Sequence, residues 1–213
     1  MKLYIARATC SRAPQAVFNE LGLEVELVLY DIPSQTTSSG EDFGRVNRFR
    51  YVPVLEFSHG AVQHMSEASV ITVYLADLHP ERGLIPPWGT PERLQVDESL
   101  MFIATEIAQK HISLMRGHVN EAGLAWTRER IVQAYELFDE RLADGRPWLA
   151  GTQFGVLDIY LWATMWQDRS GVQIAHLRPL ADWQERIEAR PSIRKTLMDE
   201  AALVQAHAPE RVA

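Results

Sequence analysis

Between His79 and Pro91 the chain carries Pro80, Pro86, Pro87 and Pro91 with two glycines, and its hydrophobic pattern differs on the two sides of that segment. Before it, short runs of alternating apolar residues mix with helical spacings. After it, only helical spacings occur. A polypeptide cannot carry both periods through a proline-rich break as one uniform layer, so two domains are implied: α/β, then all-α. The boundaries read as residues 1–79, a linker at 80–91, and a helical-bundle domain at 92–213.

Within the first part, Lys2 to Ala6 reads as a strand and Ser11 as the cap of a helix running to about Leu21. Ala13, Val17 and Leu21 recur at i, i+4 and i+8, which buries one face, and Gly22 ends the helix. Val25 to Tyr30 is a second strand. A strand–helix–strand order implies a parallel pair with a right-handed crossover. Ile32 to Gly40 is rich in Ser, Thr and Pro and reads as loop, and a short helix is expected near Glu41 to Val46. Val52–Phe57 and Ala61–Gln63 read as a hairpin turning at His59-Gly60. Ser66 then opens a helix carrying Val70, Val73, Tyr74 and Leu78. The pattern is βαβαββα.

In the second part, helices are expected at Glu92 to about His118, Trp126–Leu142, Val156–Asp168, Leu180–Ala189 and Ser192–Ala202.

The 213 residues carry a net charge of -7, which repels phosphate backbones and argues against nucleic acid as a partner. No run approaches the roughly 20 apolar residues that span a bilayer, so no membrane is expected. The apolar N-terminal stretch stops at Arg7, too short for a signal peptide, and the single cysteine allows no internal disulfide. A cytoplasmic protein is expected. Among seven histidines no i, i+4 pair occurs, so no metal site is expected.

Cys10 stands where the first strand gives way to the first helix. Helix N-terminal amides and the macrodipole there favour a thiolate, and Arg7 and Arg12 add positive charge. The motif Cys10-Ser11-Arg12-Ala13 lacks a resolving thiol, so Cys10 needs an external thiol partner for any redox cycle. Val52-Pro53 begins an apolar strand, where a backbone can pair with an extended peptide. Ser66-Glu67-Ala68-Ser69 opens a helix whose free amides suit a carboxylate while Glu67 suits an ammonium, the two charges of an amino-acid head group. Trp162 and Trp166 share a helix face and read first as core.

These elements together resemble the glutathione transferase family, nearest to its bacterial beta class. The matching segments are Met1-Lys2-Leu3-Tyr4, Cys10-Ser11-Arg12-Ala13-Pro14, Gly40-Glu41-Asp42-Phe43, Val52-Pro53-Val54-Leu55, Tyr74-Leu75-Ala76-Asp77, Phe102-Ile103-Ala104-Thr105-Glu106, Phe154-Gly155-Val156-Leu157-Asp158 and Arg190-Pro191-Ser192. The resemblance implies a thioredoxin-like first domain and an enzyme that conjugates glutathione, as co-substrate rather than cofactor, to a small apolar electrophile. It implies that Cys10 faces the glutathione sulfur, that Val52 pairs with the cysteinyl backbone with Pro53 cis, and that Glu67 and Ala68 hold the γ-glutamyl group. It places Gln35 near the glycyl end and brings Glu106 from the second subunit of a homodimer. His111 and Trp166 are implied near an acceptor pocket, and Asp158 as the acid of a folding capping box. The chain departs from the class at Ala68, Phe49, Gln35, Met101 and Ala108-Gln109, where the class often has serine, lysine, lysine, asparagine and a His-Lys pair. Two other readings stay open: glutaredoxin-like exchange through Cys10, and a non-catalytic binding protein on the same fold.

Overall fold

The structure is a computed structural model and describes residues 1–59 and 62–207. The first unit is built on a sheet of β1 (Lys2–Ile5), β2 (Glu26–Asp31), β3 (Thr36–Thr37), β4 (Val54–His59) and β5 (Val62–Ser66), in the order β3-β2-β1-β4-β5. β1 and β2 are parallel, in the register Leu3 with Leu27, and the other pairs are antiparallel. α1 (Arg12–Leu21) makes the crossover and stops at Gly22, whose φ of 70° supplies the left-handed turn. α2 (Ala68–Asp77) follows β5.

Side chains alternate across β1 as the pleat requires. Leu3, Ile5, Leu55, Phe18, Ile71 and Leu75 are fully buried. A second buried cluster holds Tyr4, Ala6, Val28, Tyr30, Phe43 and Val54. Phe43 is its centre, stacked on Tyr30 at 4.2 Å and tilted against Tyr4 at 5.6 Å between ring centroids. Tyr4 is therefore a packing residue whose hydroxyl donates to Glu56 at 2.9 Å.

Two local expectations are corrected. The loop after β2 contains β3, which pairs back on β2, and the expected helix at 41–46 is a single 3₁₀ turn, Phe43–Arg45. The hairpin forms, but Gly60 of its expected His59-Gly60 turn lies outside the described residues.

The second unit runs from His79 to Ala189. α3 (Pro91–Phe102) is capped by Thr90, whose hydroxyl accepts the Arg93 N–H at 3.2 Å. A π-helical segment, Ile103–Ala108, joins it to α4 (Gln109–Met115), where one continuous helix was expected. α5 (Glu121–Leu142), α6 (Val156–Ala163), α7 (Gln167–Ser170) and α8 (Arg178–Glu188) complete the unit. Its buried side chains include Ile103, Ile107, Ile131, Tyr135, Phe138 and Trp183.

The domain boundaries differ from the sequence reading at two places. The proline-rich segment is not a free linker: Leu84 and Ile85 are buried, and the Leu84 carbonyl accepts the Val156 N–H at 2.9 Å. The last helix, α9 (Pro191–Ala206), belongs with the first unit, because its buried residues Ile193, Thr196 and Glu200 lie against α1. Helical period alone cannot tell which neighbour an amphipathic helix covers.

Candidate active site

Cys10 lies in the connection from β1 to α1, and the hydroxyls beside it are turned inward. Ser11 is fully buried and has helical backbone angles, φ −61° and ψ −18°, so it does not cap α1 as expected. Its Oγ instead accepts the Ala6 N–H at 3.2 Å and sits 2.7 Å from Thr9 Oγ1, which donates to the Ala6 carbonyl at 2.8 Å. The amides of Arg12 and Ala13 donate to Thr9 O and Cys10 O at 3.2 and 3.0 Å. These bonds occupy the donors that were expected to favour a thiolate.

The consequence is electrostatic. Cys10 is half-buried, and burial first, then the Glu67 carboxylate, pushes its thiol up to about 12; its own backbone N–H offsets this only in part. Burial and Glu67 thus oppose the thiolate that the helix start was expected to favour. The Cys10 Sγ–H donates to the Val52 carbonyl at 3.5 Å, and the Val52-Pro53 bond is cis.

Glu67 sits between β5 and α2 with φ 75° and ψ 111°. A left-handed backbone at a non-glycine residue stores roughly 1–3 kcal/mol of strain and is concentrated at ligand clamps. Ser66 ends β5 and is not the cap that was expected. Ala68 is buried at the first position of α2 and its carbonyl accepts Thr72 Oγ1 at 2.6 Å. The helix itself leaves its first-turn amides without partners, which suits an anion.

Gln35 is exposed, with φ 59°. Its carbonyl accepts the Phe43 N–H at 3.1 Å and Arg50 Nη1 at 3.5 Å. Arg50 is also ion-paired with Asp42, whose carboxyl is held below the usual carboxylate range by that guanidinium and by the Gly44 N–H. A Cβ at 44 would stand 2.7 Å from Arg50 Nη2, so a side chain there requires the guanidinium to shift. Asn47 ties the turn before Val52 by donating from Nδ2 to the Tyr51 carbonyl at 2.8 Å and accepting the Phe49 N–H at 3.0 Å. Asp42, Asn47 and Glu200 were not anticipated from the sequence. Glu200 had a visible signal, since it shares a helix face with Ile193 and Thr196.

In the helical unit, Glu106 lies in the π-helical segment and pairs with Lys110 at 2.9 Å and Arg130 at 3.8 Å. His111 does not line an acceptor pocket. It is fully buried, with Nδ1 2.7 Å from Ser170 Oγ and Nε2 2.9 Å from Tyr135 Oη, and burial lowers its pKa to about 4. The indole of Trp166 packs edge-on to that imidazole at 6.4 Å and is almost wholly buried. Phe49 and Met101 are exposed. Asp158 is buried and accepts from Leu149 N, Gly155 N and Trp183 Nε1, which fits the folding role expected of it.

A cysteine in the first strand–helix connection of a thioredoxin-like sheet, facing a cis-proline strand, with a helical unit following, defines a transferase-type architecture. The chain belongs to the glutathione S-transferase family. Residues 94–167 match the model of the glutathione S-transferase C-terminal domain. A glutathione transferase of Methylococcus capsulatus str. Bath is 35% identical, with 94% of this chain and 98% of that one covered and a TM-score of 0.88. A sphingomonad glutathione S-transferase complexed with glutathione is 31% identical over 94% of this chain and 99% of that one, with a TM-score of 0.86. A bacterial beta-class glutathione S-transferase of Sphingomonas chungbukensis is 29% identical over 96% of this chain and 100% of that one, also with a TM-score of 0.86.

Proposed function

We propose that this protein conjugates the sulfur of glutathione to an apolar electrophile, with Cys10 as a hydrogen-bond donor rather than a nucleophile. The observation that carries this is geometric: the Cys10 Sγ–H donates to the Val52 carbonyl at 3.5 Å, beside the cis Val52-Pro53 bond, and burial with Glu67 pushes its pKa up. In the reaction, the glutathione thiol loses its proton to solvent. Its sulfur lone pair forms a bond to carbon, and the leaving group departs with its electron pair. The Cys10 S–H swings from Val52 to the glutathione sulfur and stabilises the negative charge there. The Val52 carbonyl is thereby released to accept the cysteinyl N–H of glutathione. Glu67 holds the γ-glutamyl ammonium, the Ala68 N–H its carboxylate, and Gln35 the glycyl end.

Family membership and the glutathione held by the sphingomonad relative support this reading. Glu106, engaged with Lys110 and Arg130 in its own chain, completes the γ-glutamyl site of a second subunit in a homodimer. A sole, reduced cysteine suits the cytoplasm, where the conjugation serves detoxification. Thiol–disulfide exchange needs Cys10 as a thiolate, and a thiol pushed up to about 12 supplies little of it at neutral pH.

Steady-state kinetics with glutathione and a chloronitrobenzene separate donor from nucleophile. Cys10→Ser keeps a donor and retains most of kcat/KM. Cys10→Ala loses a charge-assisted hydrogen bond of about 1.5–3 kcal/mol, roughly 10- to 100-fold in kcat/KM. An alanine variant as active as the wild type removes Cys10 from the mechanism. A serine variant as poor as alanine removes the donor role.

A further inference from the structure

We propose that Glu200, on the last helix, is a positioning residue for Cys10: its carboxylate clips together the backbone before the cysteine and the side chain after it. Glu200 is only 4% exposed. Its Oε2 accepts the Ala8 N–H at 3.1 Å and Arg12 Nε at 3.1 Å, and its Oε1 accepts Arg12 Nη2 at 2.6 Å. Ala8 and Arg12 each stand two residues from Cys10, so one carboxylate spans the cysteine. Ala8 also has φ 54°, a left-handed backbone that alanine does not hold without outside support.

The clip is separable from the docking of α9. That helix is fastened to α1 elsewhere: Gln15 Nε2 donates to the Thr196 carbonyl at 3.3 Å, Asn19 Nδ2 to Thr196 Oγ1 at 2.9 Å, and Arg190 and Ser192 both bond Glu20. A buried charge is a poor device for simple adhesion, because its desolvation offsets most of what the pairing gains. What the carboxylate supplies, and an apolar residue cannot, is acceptance of a main-chain N–H and a guanidinium at once. The catalytic half of the inference rests on the reading of Cys10 given above; the positional half does not.

Cys10 is the only cysteine, so the mass gained on iodoacetamide treatment reads that residue alone. With the clip opened, Glu200→Ala alkylates about tenfold faster than wild type at a fixed mildly alkaline pH. Glu200→Gln stays within about threefold, because its carbonyl still accepts from Ala8 and Arg12 Nε. Thr196→Val weakens the same helix contact by about 1 kcal/mol and leaves the alkylation rate unchanged. In conjugation assays, Glu200→Ala loses about tenfold in kcat with KM for glutathione nearly constant, as expected when the donor is misplaced and not the binding groups. Wild-type alkylation in Glu200→Ala, or acceleration in Thr196→Val equal to it, overturns the proposal. Should Glu200→Ala fail to fold, Glu200→Asp replaces it: the charge stays but the reach falls by one methylene, acceleration is again expected, and its absence again overturns the clip. A wild-type protein that conjugates nothing while the alkylation pattern holds sinks the functional reading and leaves the clip standing.

Discussion

At Cys10 two influences compete, and their sizes decide the chemistry. A helix start lowers a thiol's pKa only when its amides are free to point at the sulfur. Here Arg12 and Ala13 spend theirs on Thr9 and Cys10 carbonyls, while burial and Glu67 act the other way. With the thiol pushed up to about 12, the thiolate fraction at pH 8 is on the order of a thousandfold below that of a free cysteine. Iodoacetamide alkylation of the unliganded protein is therefore expected to be slower by about that factor, rising tenfold per pH unit through pH 10. Glu67→Gln removes the second cause and raises the rate. A wild-type rate that levels off near pH 7 contradicts this placement of the proton. The position of Cys10 at the start of the first helix was legible in the sequence, because chain position and residue type suffice to mark it. The state of its proton was not, because that depends on which carbonyls take the neighbouring amides and on a carboxylate 57 positions along the chain.

Among the elements, those with a strong period were legible almost to the residue. β1, α1 and β2 follow from alternation, i, i+4 spacing and a glycine stop. Less legible were elements fixed by a single tertiary bond. β3 is two residues long and exists only by pairing with β2. The expected helix at Val156–Asp168 divides into α6 and α7, a break the apolar pattern runs straight through. The start of α6 is a case where structure explains a glycine. Gly155 has no side-chain hydroxyl, so only the Asp158 half of a capping box is present. A Cβ at 155 would lie 2.4 Å from the Leu84 carbonyl oxygen, the same oxygen that accepts the Val156 N–H. Close approach of two backbones excludes a side chain there. Gly155→Ser, which restores a capping hydroxyl nominally worth about 1 kcal/mol, is expected instead to destabilise by about 1–3 kcal/mol through overpacking. Urea unfolding decides between them: a stabilised serine variant means the Leu84 strand of chain yields without cost.

For the molecule as a whole, the helical unit contains two buried titratable groups whose effects on stability run in opposite directions over one pH range. Asp158 is raised to about 6 by burial, despite three donors that favour its charge. Its folded state binds a proton more tightly than the unfolded chain, so its contribution to stability falls as pH rises from about 4 to 6. His111 is lowered to about 4 by burial. Its unfolded state binds the proton more tightly, so its contribution is full above about pH 6.5 and is lost as pH falls towards 4. At about 1.4 kcal/mol per unit, each amounts to roughly 3 kcal/mol, and together they nearly cancel. All six tryptophans fall between residues 88 and 183, so intrinsic fluorescence reads this unit and not the thioredoxin-like one. Urea titrations followed by that signal at pH 4 to 7 are expected to separate the pair. Relative to wild type, Asp158→Asn loses a further 3 kcal/mol or so on acidification, in addition to a pH-independent cost of about 1–3 kcal/mol where its amide meets the Gly155 N–H. His111→Gln, which can still reach Ser170 and Tyr135, gains stability on acidification by a similar amount, and the double variant runs parallel to wild type. Parallel curves for all four proteins would mean that neither buried group changes its proton affinity on folding.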